Sequence, residues 1–243
     1  MPRIMKNKLA VFAAVSLLLN VVFAVTAAVF VSKGYYRRYL KPYLRDYYID
    51  RYTHFRSIDA KSGAIVFIGD SLTDRCEWAE LFGRCDIVNR GIDGDTTDGV
   101  LDRLGEITAR RPARIFIMIG GADILYGRSA GAIAENYRVI IERIKAESPL
   151  TRVYIQSLLP TLYRRVPLPR ELITGLNDRL KALARERGVE YIDLHRRLAD
   201  AGGDLNPLFT TDGVHLNGAG YIAWRNALIP YMPRSGTDCR PRR

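Results

Sequence analysis

The chain has 243 residues, 48% of them hydrophobic, and carries a formal net charge of +11. This length fits one globular domain of roughly 200 residues with an appendage, and the apolar share is sufficient for a buried core. A basic excess suits nucleic acid, anionic lipid or an acidic substrate. The sequence contains no zinc-finger, homeodomain or RNP signature, which argues against nucleic acid as the partner.

Residues 9–31 form a nearly unbroken apolar stretch in which Asn20 is the strongly polar member. At about 1.5 Å per residue, a helix of this length crosses a hydrocarbon core of about 30 Å. Basic side chains precede the stretch, as in a signal peptide, but signal-peptide apolar regions are usually shorter. We therefore favour an uncleaved transmembrane anchor over residues 1–32, with Val25-Thr26-Ala27 as the alternative cleavage site.

The following connector, residues 33–61, combines tyrosines with arginines and lysines. Over 33–55 this composition is typical of the membrane interface, where tyrosine rings lie at headgroup depth and basic groups meet lipid phosphates. A solvated amphipathic linker helix, broken near Pro42, is the alternative. The basic residues after the span favour a cytoplasmic domain by the positive-inside bias, whereas a short basic N-terminus before a long apolar run favours export. We predict a single-pass protein with an extracytoplasmic domain.

The three cysteines, Cys76, Cys85 and Cys239, show neither the spacing of a metal site nor a disulfide framework. A Cys76–Cys85 bridge would require an oxidising compartment, and we favour buried or free thiols. The sequence therefore gives no reason to expect a bound metal.

Short apolar runs alternate with helical patterns over residues 62–233, which are followed by a basic tail at 234–243. Five runs are predicted strands: 64–69, 85–89, 114–119, 152–157 and 189–194. They lack a clean polar alternation, as expected of parallel strands buried on both faces. The predicted helices are 97–109, 130–146, 171–186 and 218–231. This alternation predicts an α/β fold, a three-layer α/β/α sandwich, in which ligands bind beyond the carboxyl ends of the strands.

Ser71 directly follows the first predicted strand, at the edge where ligands bind. A serine hydroxyl needs a base to become a nucleophile. His215 lies in a loop before the last predicted helix, and Asp212, three residues earlier, can accept a hydrogen bond from its imidazole. His195, the competing base, opens a polar stretch that is typical of a helix start. We predict Ser71 as nucleophile, His215 as base and Asp212 as the orienting carboxylate.

A tetrahedral intermediate also needs hydrogen-bond donors for its oxyanion. The Ser71 backbone N–H is one candidate, and the loop 89–94 brings glycines with accessible N–H groups to the same edge. The segment Gly120-Gly121-Ala122-Asp123 follows the third predicted strand and reaches this edge as well. Three charged residues flank these strand ends and are candidate substrate contacts: Asp70, Arg90 and Asp123.

Together these segments resemble the blocks of the GDSL-type, or SGNH, hydrolases over residues 64–224. Gly69-Asp70-Ser71-Leu72 is similar to the nucleophile block, Gly91 to the glycine block, and Asp212 with His215 to the last block. The run 89–97 looks most like the acetylhydrolase-like branch, also described as platelet-activating-factor acetylhydrolase-like. The resemblance implies a flavodoxin-like sheet of five parallel strands, the Gly91 N–H as an oxyanion donor, and no metal or organic cofactor.

Ala122 departs from the third block of that family, Gly-x-Asn-Asp, whose asparagine side chain donates to the oxyanion. A methyl group cannot donate, and losing one such donor costs about 2.7–4 kcal/mol of transition-state stabilisation. Since two backbone donors would remain, we expect reduced rather than abolished activity.

The leading hypothesis is a membrane-anchored serine esterase that cleaves small acyl esters, with O-acetyl groups of a carbohydrate or lipid as the favoured substrate. The motifs do not distinguish water from a sugar hydroxyl as acceptor, so an O-acyltransferase acting on an envelope glycan is one alternative. A catalytically weakened binding or scaffold protein is the other, and Ala122 is its support. The expected partners are the ester-bearing glycan or lipid, and membrane lipid through 9–31 and 33–55, with no nucleic acid.

Overall fold

The computed structural model describes residues 3–35, 38, 41–58, 62–162 and 168–233, and for residues 3–10 it describes the backbone alone. The chain divides into two compact units, Met1–Tyr47 and Tyr48–Arg243. The predicted basic tail at 234–243, which includes Cys239, lies outside the described residues.

The first unit holds the helix α1 (Arg3–Tyr35) and the beginning of α2 (Lys41–Ser57). Between Val11 and Tyr35, α1 is a 25-residue helix with a mean hydropathy of 2.5, and its apolar side chains are exposed. At about 1.5 Å per residue, this length is sufficient for a hydrocarbon core of about 30 Å. By length and composition, α1 is therefore long and apolar enough to cross a membrane.

The second unit is built on a parallel sheet with the strand order β2-β1-β3-β4-β5. The strands are β1 (Ile65–Gly69), β2 (Ile87–Gly91), β3 (Arg114–Met118), β4 (Arg152–Gln156) and β5 (Glu190–Ile192). This is the predicted flavodoxin-like order, although β2 begins and ends two residues later than expected. The chain reverses its direction across the sheet between β1 and β3, and ligands bind at such a switch point, beyond the carboxyl ends of the strands.

Helices cover both faces of the sheet and complete the predicted three-layer sandwich. The four predicted helices are α5 (Thr97–Thr108), α7 (Ala130–Glu147), α8 (Arg170–Arg187) and α10 (Gly218–Leu228). Three short helices were not predicted: α3 (Ser71–Asp74), α4 (Trp78–Phe82) and α6 (Gly121–Leu125). A fourth, α9 (Leu194–Leu198), covers the polar stretch at His195 that is typical of a helix start. Two 3-10 helices, Pro207–Phe209 and Ile229–Tyr231, precede and follow α10.

Different residue types fill the two faces of the sheet, because successive side chains of a strand point to opposite faces. On one face, Val66 and Ile68 of β1 belong to an aliphatic core with α5, α7 and α8. On the other, Phe67 stacks on Trp78 at 4.1 Å and on Phe116 at 5.0 Å between ring centroids. This aromatic core also includes residues of α4, α9 and α10, so α10 packs against this face of the sheet.

The second half of α2 belongs to the second unit, whereas the sequence composition predicts a connector over 33–61 and a domain that begins at residue 62. Phe55 is buried there, with 2% of its surface exposed. The Arg110 guanidinium donates hydrogen bonds to the carbonyl oxygens of Phe55 at 2.6 Å and Ile58 at 2.8 Å. The compact unit therefore begins at Tyr48. The tyrosine- and arginine-rich composition of this segment gave no indication that Phe55 would be buried against the domain.

One of the two described cysteines departs from the expectation that the cysteines are buried or free thiols. Cys76 is buried and free, as expected. Cys85 is disulfide-bonded, and the bridge is not with Cys76, so its partner lies outside the described residues. Within the described part of the chain, no group of three or more His, Cys, Asp or Glu side chains is placed to hold a metal ion.

Candidate active site

Ser71 lies at the start of α3, at the carboxyl end of β1. Asp70 is the N-cap of this helix, and its Oδ1 accepts a hydrogen bond from the Leu72 N–H at 3.1 Å. The turn requires glycine at position 69, because a Cβ there would lie 2.1 Å from Thr73 Oγ1 and 2.4 Å from the Met118 carbonyl oxygen. The Gly-Asp-Ser segment thus turns a buried strand into a short helix and leaves the Ser71 hydroxyl partly exposed.

The structure brings the three predicted catalytic side chains together across 144 residues of sequence. Ser71 Oγ lies 3.0 Å from His215 Nε2, and His215 Nδ1 lies 2.6 Å from Asp212 Oδ2. Nε2 is therefore placed to accept the serine proton while Asp212 holds the other ring nitrogen.

Asp212 also builds the turn on which His215 lies. Its Oδ1 accepts hydrogen bonds from the N–H groups of Val214 at 2.9 Å and His215 at 2.8 Å. Burial opposes ionisation of this carboxyl, but the hydrogen bonds from the His215 side chain and the two N–H groups outweigh it and hold the pKa of Asp212 well below its usual range. The carboxylate that faces the imidazole is consequently ionised at neutral pH.

Thr210 supports the same turn and was missed by the sequence analysis. Its Oγ1 accepts a hydrogen bond from the Gly213 N–H at 2.8 Å and lies 3.4 Å from Asp212 Oδ1. With 8% of its surface exposed, Thr210 is a buried polar residue whose hydroxyl is fully used by this turn. A threonine two residues before an Asp-x-x-His segment is the sequence signal for it.

His195, the competing base, lies in α9 and is not part of this network. Its backbone N–H donates to Ser157 Oγ at 2.7 Å, and its side chain is half-buried. Burial lowers the pKa of His195, which favours the neutral imidazole. The preference for His215 over His195 agrees with this geometry.

Gly91 is not placed to donate to an oxyanion, contrary to the expectation from the resemblance. It is the last residue of β2 and pairs with Gly69, and its N–H donates to Asn89 Oδ1 at 2.8 Å. A Cβ at position 91 would lie 2.2 Å from the Asp74 backbone nitrogen. Gly91 therefore allows β2 to pack closely against α3, where a side chain would not fit. It lies within the strand because β2 extends two residues further than predicted.

Gly94 occupies the loop beyond β2 and was not singled out from the sequence. Its φ of 73° lies in the left-handed region that favours glycine, and the Asp95 N–H closes the turn by donating to the Ile92 carbonyl at 3.1 Å. Within the described residues, neither the Gly94 N–H nor the Ser71 N–H has a protein acceptor. The second glycine of Gly91-Ile92-Asp93-Gly94 is the signal that would have found it.

Ala122 lies in the first turn of α6, which follows β3. Gly120 before it has a φ of 125°, so the turn between strand and helix requires glycine. A Cβ on Gly121 would be 3.4 Å from Asp70 Oδ2, which places the start of α6 beside the Asp-Ser turn. Ala122 thus stands at the ligand-binding edge and offers a methyl group where a donor side chain was expected.

The three charged residues predicted to contact substrate are buried instead. Asp123, 1% exposed, accepts hydrogen bonds from the Thr97 N–H at 2.9 Å and from Thr97 Oγ1 at 2.7 Å. Arg90, 4% exposed, pairs with Glu106 at 3.3 Å. Asp70 caps α3, and burial raises its pKa to about 7. All three are used by the fold, since a charge so far from water needs a protein partner or a proton.

A buried ion pair lies beneath the loop that follows β2. Arg103 of α5 contacts Asp95 Oδ2 through Nη2 at 2.7 Å and through Nε at 2.9 Å, and both side chains are essentially inaccessible. Arg103 Nη2 also lies 3.5 Å from the Gly69 carbonyl oxygen. The pair therefore ties the loop next to Gly94 to the end of β1.

Comparison with known proteins shows the family to which this chain belongs. The family described as GDSL-like Lipase/Acylhydrolase matches residues 67–223. Platelet-activating factor acetylhydrolase IB subunit alpha1 of Bos taurus is 32% identical over 181 residues, which cover 72% of this chain and 77% of that protein.

Solved structures give the same result. A Streptococcus pneumoniae protein described as a candidate platelet activating factor is 31% identical, with a TM-score of 0.73 and coverage of 79% of this chain and 95% of that one. The acetylxylan esterase Axe2 of Geobacillus stearothermophilus, at 19% identity and a TM-score of 0.61 over 74% and 99% of the two chains, shares the fold. Because the family match spans well over half of the sequence, the chain belongs to the GDSL-like lipase/acylhydrolase family and is a hydrolase that acts on ester bonds.

Proposed function

We propose that this protein is a membrane-anchored serine esterase that cleaves small acyl esters, with O-acetyl groups of a carbohydrate or lipid as substrate. The observation that carries the proposal is the continuous contact from Ser71 Oγ to His215 Nε2 at 3.0 Å and from His215 Nδ1 to Asp212 Oδ2 at 2.6 Å. The name of the bovine relative specifies acetyl hydrolysis, which supports acetyl as the acyl group.

In the proposed mechanism, Ser71 Oγ attacks the ester carbonyl carbon while His215 Nε2 takes the hydroxyl proton. Asp212 keeps the imidazole in the required tautomer and stabilises the imidazolium. The tetrahedral intermediate collapses by expelling the alcohol, which receives the proton from His215 and leaves an acyl group on Ser71. A water molecule, deprotonated by His215, then releases the acid and restores the free serine.

The negative charge of the intermediate is received by backbone donors. We assign this role to the N–H groups of Ser71 and Gly94, which have no protein acceptor among the described residues. Gly94 takes the place expected of Gly91, whose N–H is bonded to Asn89. Two donors in place of three give a slower enzyme, because each is worth roughly 10²- to 10³-fold in kcat.

The proposed location is a membrane, with α1 as a single-pass anchor and the catalytic domain outside the cytoplasm. The length and hydropathy of α1 support the anchor. The disulfide at Cys85 supports the orientation, since such bonds persist in oxidising compartments. The tyrosine- and arginine-rich residues 33–47, which precede the compact domain, supply contacts to lipid headgroups in this arrangement. Protease digestion of intact cells tests it: a cytoplasmic domain would be protected.

The central test compares wild type with Ser71→Ala on p-nitrophenyl acetate, butyrate and octanoate. Ser57→Ala is the matched control, because Ser57 is an exposed serine at the end of α2. We expect Ser71→Ala to lower kcat by at least about 10³-fold, the control to keep full activity, and a fluorophosphonate probe to label Ser71. Equal rates for wild type and Ser71→Ala would contradict the proposal. Addition of an oligosaccharide acceptor shows whether the acyl group passes to a sugar hydroxyl.

A further inference from the structure

One carboxylate connects the helix that begins with Ser71 to the loop that contains Gly94. Asp74 is the last residue of α3, and its Oδ2 accepts a hydrogen bond from the Asp93 N–H at 3.3 Å. Asp93 immediately precedes Gly94, the second proposed backbone donor. The side chain of Asp74 is 7% exposed, so this carboxylate needs a cationic partner.

That partner is Arg51, in the second half of α2. Arg51 Nη2 lies 3.0 Å from Asp74 Oδ1, the oxygen that the Asp93 N–H does not use. The Arg51 side chain is 27% exposed, so the ion pair is only partly screened by water. One carboxylate oxygen of Asp74 therefore contacts the loop beyond β2, and the other contacts α2.

Arg51 is itself held in place by aromatic contacts. Its guanidinium carbon lies 4.7 Å from the centroid of the Phe55 ring, and that of Arg90 lies 4.5 Å from the same ring. Tyr48 Oη donates to the Gly99 carbonyl at 3.0 Å, which fixes α2 to the first turns of α5. These contacts restrict the rotamers of Arg51, so the ion pair with Asp74 costs little further side-chain entropy.

The nucleophile helix depends on such external contacts because it is a single turn. A helix of four residues is unstable by itself, and its orientation follows from what its ends bind. Asn89 supports the end of α3 as well, since its Nδ2 lies 2.9 Å from the Thr73 carbonyl oxygen and 3.0 Å from that of Asp74. Arg51 adds the contact that also reaches the loop with Gly94.

We propose that Arg51 is a positioning residue for ester hydrolysis: through Asp74 it fixes α3 and the Asp93 amide so that the Ser71 and Gly94 N–H groups act on the same oxyanion. This inference rests on the function proposed above. It assigns to α2, which the sequence places in a connector, a part in catalysis without contact to substrate. A small displacement of catalytic donors is sufficient to slow an enzyme strongly.

The test uses the full-length chain in detergent and the variants Arg51→Ala, Arg51→Lys and Asp74→Asn. Arg56→Ala is the matched control, because Arg56 is an exposed arginine on the same helix. We expect Arg51→Ala and Asp74→Asn each to lower kcat about 10-fold with KM unchanged within about twofold, and to slow fluorophosphonate labelling in parallel. Arg75, paired with Asp93 at 3.0 Å, keeps the loss from being larger.

Three measurements separate positioning from general stability. Arg51→Lys retains the charge and should recover much of kcat, and the double variant Arg51→Ala/Asp74→Asn should be no slower than either single variant. Melting temperatures show whether each variant is folded at the assay temperature. If Arg51→Ala is unfolded there, the lysine and asparagine variants decide.

The inference is overturned if folded Arg51→Ala matches Arg56→Ala in kcat, if its effect is confined to KM, or if the losses in the double variant add. These outcomes leave the esterase function intact, provided that wild type remains faster than Ser71→Ala. Loss of that difference overturns the proposed function itself.

Discussion

The loop before α10 and the turn after β3 both reach the sheet edge where Ser71 lies, but they offer the reaction different things. The loop supplies Asp212 and His215, whose side chains contact each other and the serine at hydrogen-bond distances. The turn supplies Ala122, whose methyl group cannot donate. In the proposed mechanism, attack on the ester thus depends on side chains that are all present, whereas acceptance of the negative charge depends on backbone N–H groups.

The difference shows which part of the site tolerates substitution. A backbone donor is fixed by the turn in which it lies, so the loss of one side-chain donor leaves the backbone donors in place. The triad lacks this reserve, because each of its members has a separate task. Substitutions in the triad and in the oxyanion donors should therefore change kcat by different amounts, and a donor added at position 122 should raise kcat instead of lowering it.

Asp212→Asn should produce the largest loss among the following variants. The amide cannot hold the imidazole in the required tautomer, and we expect kcat to fall by roughly 10³- to 10⁴-fold. Steady-state kinetics on p-nitrophenyl acetate measures it. Asp178→Asn, on the exposed face of α8, is the control and should retain wild-type kcat. A loss below tenfold would remove Asp212 from the proposed mechanism.

Ala122→Asn should change the rate in the opposite direction. An amide placed on α6 restores the missing donor, and we expect kcat to rise about 10²-fold, the lower end of the range for a single oxyanion donor. Ala122→Leu has a similar size and no donor, so it should not raise kcat. Equal effects of the two substitutions would show that size, rather than hydrogen bonding, matters at this position.

Thr210→Val tests the support beneath the triad and should have a smaller effect. The substitution leaves the Gly213 N–H without its acceptor, and a lost hydrogen bond of about 1 kcal/mol predicts a loss of about fivefold in kcat/KM. Thr174→Val, in α8, removes a hydroxyl that contacts only its own helix and serves as the control. An unchanged kcat/KM for Thr210→Val would mean that Asp212 holds the turn alone.

Arg90→Met should have the smallest effect on substrate binding. Arg90 is buried between Glu106 and Phe55, so we expect KM to stay within about twofold of wild type while the melting temperature changes. Kinetics and thermal denaturation of the same sample measure both. A KM raised tenfold at an unchanged melting temperature would restore Arg90 as a substrate contact.

Much of the fold was predictable because its signals are local. Short apolar runs without alternation located all five strands, and helical periodicity located α5, α7, α8 and α10. The one-turn helices α3, α4 and α6 were missed, since four or five residues are too few to show a period. The burial of Phe55 was missed as well, because one phenylalanine among tyrosines and arginines gives no sign of what covers it.

The sequence by itself determined the geometry around the residues proposed for attack, because the Gly-Asp-Ser turn caps its own helix and the Asp-x-x-His segment builds its own turn within four residues. Only the tertiary structure decided which glycine N–H has no acceptor among the described residues, since that depends on where β2 ends against α3. It also decided that Asp70, Arg90 and Asp123 are buried. Hydrogen bonds within a turn depend on residues that are neighbours in the sequence, whereas burial and the hydrogen-bond partners of buried groups depend on segments that are distant in the chain.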